Sequence, residues 1–265
     1  MEFIIWFVLW LILFAMNILV GVIPISDPAW KTGLSYYSGL CANILFIYIF
    51  RKYLCNPGKM RLFSRKSLKC CMWAVVIGIG GCLGHRIFFL IFLEFSVQSV
   101  HDIGETALTN LAMFTATVPG ILYEAFLEPV AEEVCFRGII FPVARENHGN
   151  LYAVIVSSLL FAFTHGNGIQ FISALFMGVV IGYVVILTGN VYIGIIIHVV
   201  NNSFSVFMSN ILNEVWNVHG YIQIIFGIII LIFGILMLRR ETGGVFSEMS
   251  DPLKVIKTHK RKQKL

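Results

Sequence analysis

Three charged residues within six positions, Glu132, Glu133 and Arg137, lie in the stretch Glu128-Pro-Val-Ala-Glu-Glu-Val-Cys-Phe-Arg-Gly138 of a chain that is otherwise close to continuous hydrocarbon. A charge at the centre of a bilayer costs about 2.5 kcal/mol on the mildest scale, so such residues are there to be paired or used. Two further polar stretches interrupt apolar runs, Phe161-Ala-Phe-Thr-His165 and His198-Val-Val-Asn201-Asn202. Together they supply the parts for hydrolysis of an amide by activated water. A carboxylate in a low-dielectric site is a stronger base than one in water and can work near neutral pH. A histidine can share the water, and His and Asn N–H groups can stabilise a tetrahedral oxyanion. No Ser–His or Cys–His pair is as well placed. Cys135, although near, reads as a small packing residue.

Helical spacing sorts these residues. Glu133 and Arg137 are i,i+4 and face each other, which predicts an ion pair. Glu132 lies about 140° round the helix from Arg137 and is left for chemistry. His198 and Asn202 share one face, and Asn201, about 100° away, is expected to hydrogen-bond between helices. Rise per residue, counted back from Glu146 and on from Leu151, places Glu132 and His165 each about 21 Å from the cytosolic end of its helix, so residues far apart in sequence fall into one layer. Glu124, Glu128 and Glu132 form an acidic stripe. Arg86 of His85-Arg86 lies at a similar depth and is expected to pair with Glu128 or Glu124.

The elements that must position them are membrane helices. The 265 residues are 58% hydrophobic and 12% charged, with net charge +5 and mean hydropathy +0.86, far from the composition of a soluble domain. Eight spans are expected, near 3–24, 34–52, 71–96, 108–145, 151–166, 168–188, 190–212 and 218–238. They form a single transmembrane domain over 1–240, with a basic tail over 241–265. The fourth span is expected to be broken by proline. The first segment has neither a positive leader nor a small-residue cleavage site, so it is expected to be retained. The loop bearing Arg51, Lys52, Lys59, Arg61, Arg65, Lys66 and Lys69 shares one side with Arg239, Arg240 and the Lys254–Lys264 cluster. The other side holds Asp27, Glu94, Asp102, Glu105 and Glu214, with Lys31 as its only strong base. The positive-inside rule then predicts a multi-pass protein of the cell membrane with both termini cytosolic. The tail is expected to touch anionic lipid headgroups, not nucleic acid. The six cysteines read as apolar residues without disulfides.

The three polar blocks resemble those of the CPBP family, the CAAX prenyl endopeptidases and abortive-infection-like (Abi) bacteriocin-processing intramembrane proteases. That family is marked by Glu-Glu-x-x-x-Arg, Phe-x-x-x-His and His-x-x-x-Asn, which here read Glu132-Glu133-Val-Cys-Phe-Arg137, Phe161-Ala-Phe-Thr-His165 and His198-Val-Val-Asn-Asn202. The resemblance covers about residues 108–212 and implies an all-α, CAAX-protease-like bundle with an intramembrane cavity. It implies that Glu132 and His165 activate water, that His198 and Asn202 form the oxyanion hole, and that Glu133 and Arg137 orient the helix and the base. It also implies no cofactor and no metal. Zinc is the alternative that a glutamate and two histidines would permit, although there is no His-Glu-x-x-His. The substrate expected is a peptide or membrane-protein segment entering a cavity open toward the cytosolic half. Peptide maturation or bacteriocin immunity is the biology favoured, with removal of a C-terminal tripeptide from prenylated proteins as the alternative. Readings of another class are a transporter, which would also need buried charges, and a non-catalytic membrane binding protein.

Overall fold

The computed structural model describes residues 2–54, 68–95, 109–165, 168–211 and 220–243. These residues are helical apart from short connections, with no strand among them, and fold as an all-α polytopic membrane protein. The helices are α1 (Glu2–Gly21), α2 (Pro28–Phe50), α3 (Leu68–Phe95), a compound helix α4 running from Val118 to His148, α5 (Asn150–Phe163), α6 (Gly168–Thr188), α7 (Val191–Ile211) and α8 (Gly220–Glu241). Residues 109–115 add a helical turn before α4. Six helices, α1, α2, α3, α6, α7 and α8, are long and apolar enough to cross a membrane unaided. The other two of the eight expected spans are the ones that carry charge and shape. The compound α4 bears the glutamates, and α5, at 14 residues, rises only about 21 Å against a hydrocarbon thickness of about 30 Å. The basic 55–67 loop, the acidic 96–108 and 212–219 segments and the tail beyond 243 lie outside the described residues.

Turn chemistry fixes the short connections. Gly149, with φ +86°, ends α4 and opens α5, while Gly189, with φ +61°, separates α6 from α7. Both hold the left-handed backbone that side chains with a Cβ disfavour. The helices form two joined cores. One gathers Ala74, Ile77, Phe141, Ile181, Val185, Ile193, Ile197 and Leu231 from α3, α4, α6, α7 and α8. The other packs Leu9, Phe46, Phe136, Ile139, Ile140 and Phe161 from α1, α2, α4 and α5. The whole of Cys135–Ile140 is buried, so α4 is surrounded on every side there.

Outside the glutamate region, α3 and α8 pack backbone to backbone. A Cβ added at Gly227 would lie 2.5 Å from both Gly84 N and Leu83 Cβ, and one at Gly80 would lie 2.5 Å from Leu231 N. Neither clash can be relieved by a side-chain rotation. This is close approach through small residues, the usual basis of helix association where lipid removes the hydrophobic driving force. Gly227→Val is therefore expected to destabilise the protein in detergent by about 1–3 kcal/mol, the range for overpacking a tight contact. Thermal unfolding of the purified variant measures it, and an unchanged melting temperature would refute the contact.

Candidate active site

Three prolines punctuate α4 without breaking it. Pro119, Pro129 and Pro142 each stand in the first turn of a regular α segment, and the segments between them, Tyr123–Leu127 and Val134–Ile140, are π-helical. The break expected from proline is thus a widening. The carbonyls four residues before Pro119 and Pro129 are met from α7 instead, Thr115 by Asn210 Nδ2 at 2.9 Å and Ala125 by Ser203 Oγ at 3.4 Å, and π-helical bulges of this kind collect at functional sites. The helix continues past Pro129 and carries Glu132 and Glu133 into the bundle interior.

There Glu133 and Arg137 form the predicted ion pair, Nη1 to Oε1 at 3.0 Å, both side chains fully buried. Arg137 Nη2 also donates to the Gly178 carbonyl of α6 at 3.1 Å, and its guanidinium lies 4.8 Å from the Phe161 ring centre. The same Glu133 Oε1 accepts from His198 Nδ1 of α7 at 3.0 Å. That fixes the proton on Nδ1, so His198 presents Nε2 as an acceptor in the neutral ring and as a donor in the imidazolium. Nε2 stands 3.9 Å from Glu132 Oε2. This is too long for a hydrogen bond, but a single water oxygen about 2.8 Å from each atom would span it. His165, at the end of α5, has Nδ1 3.1 Å from the Phe161 carbonyl, which can only accept, so its neutral ring carries the lone pair on Nε2. Phe161 holds both rings in edge-on contact, its centroid 4.7 Å from His165 and 5.7 Å from His198.

Glu132, His165 and Asn202 line one cavity of about 220 Å³, together with Asn43, Tyr123, Glu124 and Glu128. Asn202 is already engaged: its Nδ2 donates to the Glu124 carbonyl at 3.1 Å and to Glu124 Oε1 at 3.4 Å. Asn201 donates to its neighbour Asn202 at 3.1 Å instead of bridging helices, and its own Oδ1 is buried without a partner. The expected pairing of Arg86 with Glu128 or Glu124 is not formed. Arg86 Nη1 bonds Gln223 Oε1 of α8, and Glu128 accepts from Tyr123 Oη at 2.7 Å. The reason is topological, since α3 packs against α6, α7 and α8 and not against the glutamate-bearing part of α4. Among the described residues no three His, Cys, Asp or Glu side chains converge closely enough to hold a metal ion.

Asn43 of α2 is the site residue that sequence reasoning missed. It is 6% exposed and held by Cys135, whose thiol lies 3.7 Å from Oδ1 and 3.8 Å from the Asn43 carbonyl. Cys135 follows Glu132 by three residues, on the same side of α4. Asn43 Nδ2 lines the cavity with no hydrogen-bond partner among the described residues, and no spacing within α2 marks it.

The cavity opens at an end that the sequence reading did not expect. Its walls come from the later half of α1 (Leu13, Asn17), the start of α2 (Ser35, Tyr36, Gly39), the first half of α4, the end of α5 (Thr164, His165) and the start of α6 (Gln170). All of these lie toward one end of the antiparallel bundle. It is the end opposite Arg51, Lys69, Arg145 and Arg239, and so opposite the side to which charge assigns the cytosol. The mouth was expected in the half that carries those basic residues, whereas most of the described walls lie in the other half. The short α5 is the cause, because its histidine-bearing end stops inside the bundle far from the basic surface.

Residues 114–204 match the family model described as Type II CAAX prenyl endopeptidase Rce1-like. That stretch of the chain is similar to the Rce1-like family. It contains all three polar blocks and falls within the 108–212 expected for the core. The chain is also 25% identical, over 116 residues, to the Bacillus subtilis (strain 168) protein named "Putative membrane peptidase YdiL". The aligned part is 44% of this chain and 48% of that relative, so the chain spans about half the length of the curated relative it matches. No solved structure matches the chain. Asn43, Arg86 and Gln223 all lie outside the Rce1-like stretch.

Proposed function

We propose that this protein is a membrane-embedded endopeptidase that hydrolyses a peptide bond with a water held by Glu132 and the two histidines. The observation that carries this reading is the 3.9 Å separation of Glu132 Oε2 from His198 Nε2, with Glu132 and His165 both lining a polar cavity inside an otherwise apolar bundle. Both the Rce1-like match and the peptidase name of the relative support a protease.

In this reading Glu132 takes the proton of the attacking water, with His165 Nε2 as second acceptor, and the new C–O bond forms as the carbonyl becomes an oxyanion. The same proton then leaves with the amine as the C–N bond breaks. Donors to the oxyanion are the less obvious part. His198 Nε2 donates only when its ring is doubly protonated, and Asn202 must release Glu124 before its amide can turn to substrate. Asn43 Nδ2 has both N–H bonds available and supplies the missing donor. Loss of one oxyanion donor costs about 10²–10³ in kcat. Asn43→Leu is therefore expected to lower kcat by about 100-fold with KM changed less than threefold.

The test is purified protein in detergent or liposomes, mixed with a library of membrane-proximal peptides and read by mass spectrometry. Cleavage that requires Glu132 supports the proposal. Absence of cleavage together with substrate-dependent flux across the liposome would replace it with a transporter. The same assay with and without a chelator decides whether a metal takes part.

A further inference from the structure

We infer that the cavity faces away from the cytosol and receives peptide segments from the outer side of the membrane. The chemistry of this inference rests on the peptidase reading, but its sidedness does not. Two independent observations fix it. The first is where the cavity lies: its walls come mostly from the end of the bundle where α1 finishes and α2 begins and where α5 finishes and α6 begins, with Asn43, Glu132 and Phe136 nearer mid-helix at its inner end. The second is charge. Among the described Lys and Arg residues, Arg86 and Arg137 are buried inside the bundle and Lys31 alone belongs to the cavity end. Described residues suffice for the contrast, with Arg51, Lys52, Lys69, Arg145, Arg239 and Arg240 at one end and Lys31 beside Asp27 at the other. Lys and Arg in short loops set membrane orientation by staying cytosolic. The basic end is then the cytosolic one, and the cavity mouth is outside.

Depth agrees with access from that side. From Asn150 to His165 the chain climbs about 22 Å, which leaves about 8 Å of a 30 Å hydrocarbon layer between His165 and the far surface. The non-helical turn after Phe163 is tolerable at this depth because it borders a polar cavity and not lipid. Thr164 Oγ1 and His165 Nδ1 both turn back onto the Phe161 carbonyl, which satisfies the exposed end of α5.

The lining also limits what can enter. Glu124, Glu128 and Glu132 line the cavity, and no Lys or Arg among the described residues does. A peptide ending in a free carboxylate beside the scissile bond, as a C-terminal tripeptide does, would find no cationic side chain among the described lining residues to pair with it. A charge brought into such a wall without a partner disfavours that substrate. The Asn43 amide, nine-tenths buried with its N–H groups unused, offers instead a donor for a main-chain carbonyl. The substrate class that fits is a segment of an extracytoplasmic peptide or membrane protein, cut at an internal bond and neutral or basic near it.

Sidedness is tested first without activity. Ser26→Cys, in the α1–α2 connection, and Asn147→Cys, at the end of α4, are both at exposed positions. In intact cells a membrane-impermeant maleimide is expected to label Ser26→Cys, and to label Asn147→Cys only after permeabilisation, with the unmodified chain as blank. The reverse pattern overturns the inference. Next, an impermeant peptide is added to right-side-out vesicles containing the full chain. Equal cleavage before and after permeabilisation is expected, and cleavage only afterwards overturns the proposal. If neither condition gives cleavage, the peptidase reading fails while the labelling still decides which way the cavity faces. Finally, an amidated peptide with Lys beside the bond should be cut at least about tenfold faster than the same core presented as a prenylated C-terminal tripeptide. The opposite preference would refute the assignment of substrate class.

Discussion

Glu132→Gln is expected to lower kcat for peptide cleavage by about 10³-fold, with KM changed little and with thermal stability in detergent unchanged or raised. The magnitude is that of a general base, about 10²–10⁴. The stability half of the prediction comes from the surroundings of Glu132. Its carboxylate makes no hydrogen bond among the described residues and is 7% exposed, its Oε2 standing 3.9 Å from His198 Nε2. A poorly paired carboxylate in an apolar bundle is a cost to folding, and a neutral amide of the same shape removes it. Active sites commonly trade stability for function in this direction. A purely structural Glu132 would behave in the opposite way, with the variant less stable and residual activity tracking the folded fraction. Kinetics and a melting curve on the same preparation separate the cases, and more than a tenth of wild-type kcat in Glu132→Gln would remove Glu132 from the chemistry.

The Glu133–Arg137 ion pair was legible from spacing alone, because i,i+4 on a helix is a local relation that survives even the π turn beginning at Val134. Three blocks of motif and eight apolar runs likewise pointed to an all-α membrane bundle. What spacing could not show was which helices touch. Arg86 shares depth and opposite charge with the acidic stripe, yet depth is one coordinate only, and α3 faces α8, where Gln223 takes the guanidinium. Asn43 was invisible for the same reason. Its meaning comes from Cys135, 92 residues away, and from a cavity built by several helices. The place of the cavity along the bundle, by contrast, could have been read. A depth of about 21 Å from the basic end is already past the middle of a 30 Å layer, so the rise per residue put Glu132 and His165 in the half away from it.

Removal of Arg137 should produce the second large effect, and it distinguishes holding the fold from positioning the chemistry. Arg137→Met keeps the length of the side chain but leaves Glu133 buried with His198 alone, while the Gly178 carbonyl loses its donor. Breaking a buried pair from one side costs about 3–5 kcal/mol, because the surviving charge has nowhere to go. The expected result is a large fall in melting temperature and in the yield of folded protein. Removing both charges, in Glu133→Leu/Arg137→Met, should restore most of the stability, since an apolar pair of similar volume carries no desolvation cost. Activity should not return. In the double variant His198 Nδ1 has lost the carboxylate that sets its tautomer and aims Nε2 at Glu132, and loss of such an orienting partner costs about 10²-fold or more. The double-mutant cycle in stability then gives a strong positive coupling between Glu133 and Arg137, whereas the cycle in kcat gives no rescue. If the double variant recovers both stability and cleavage, the ion pair is a helix lock and His198 does not depend on Glu133. If Arg137→Met alone is as stable as the wild type, the pair contributes nothing to the fold, and its role lies wholly in presenting His198.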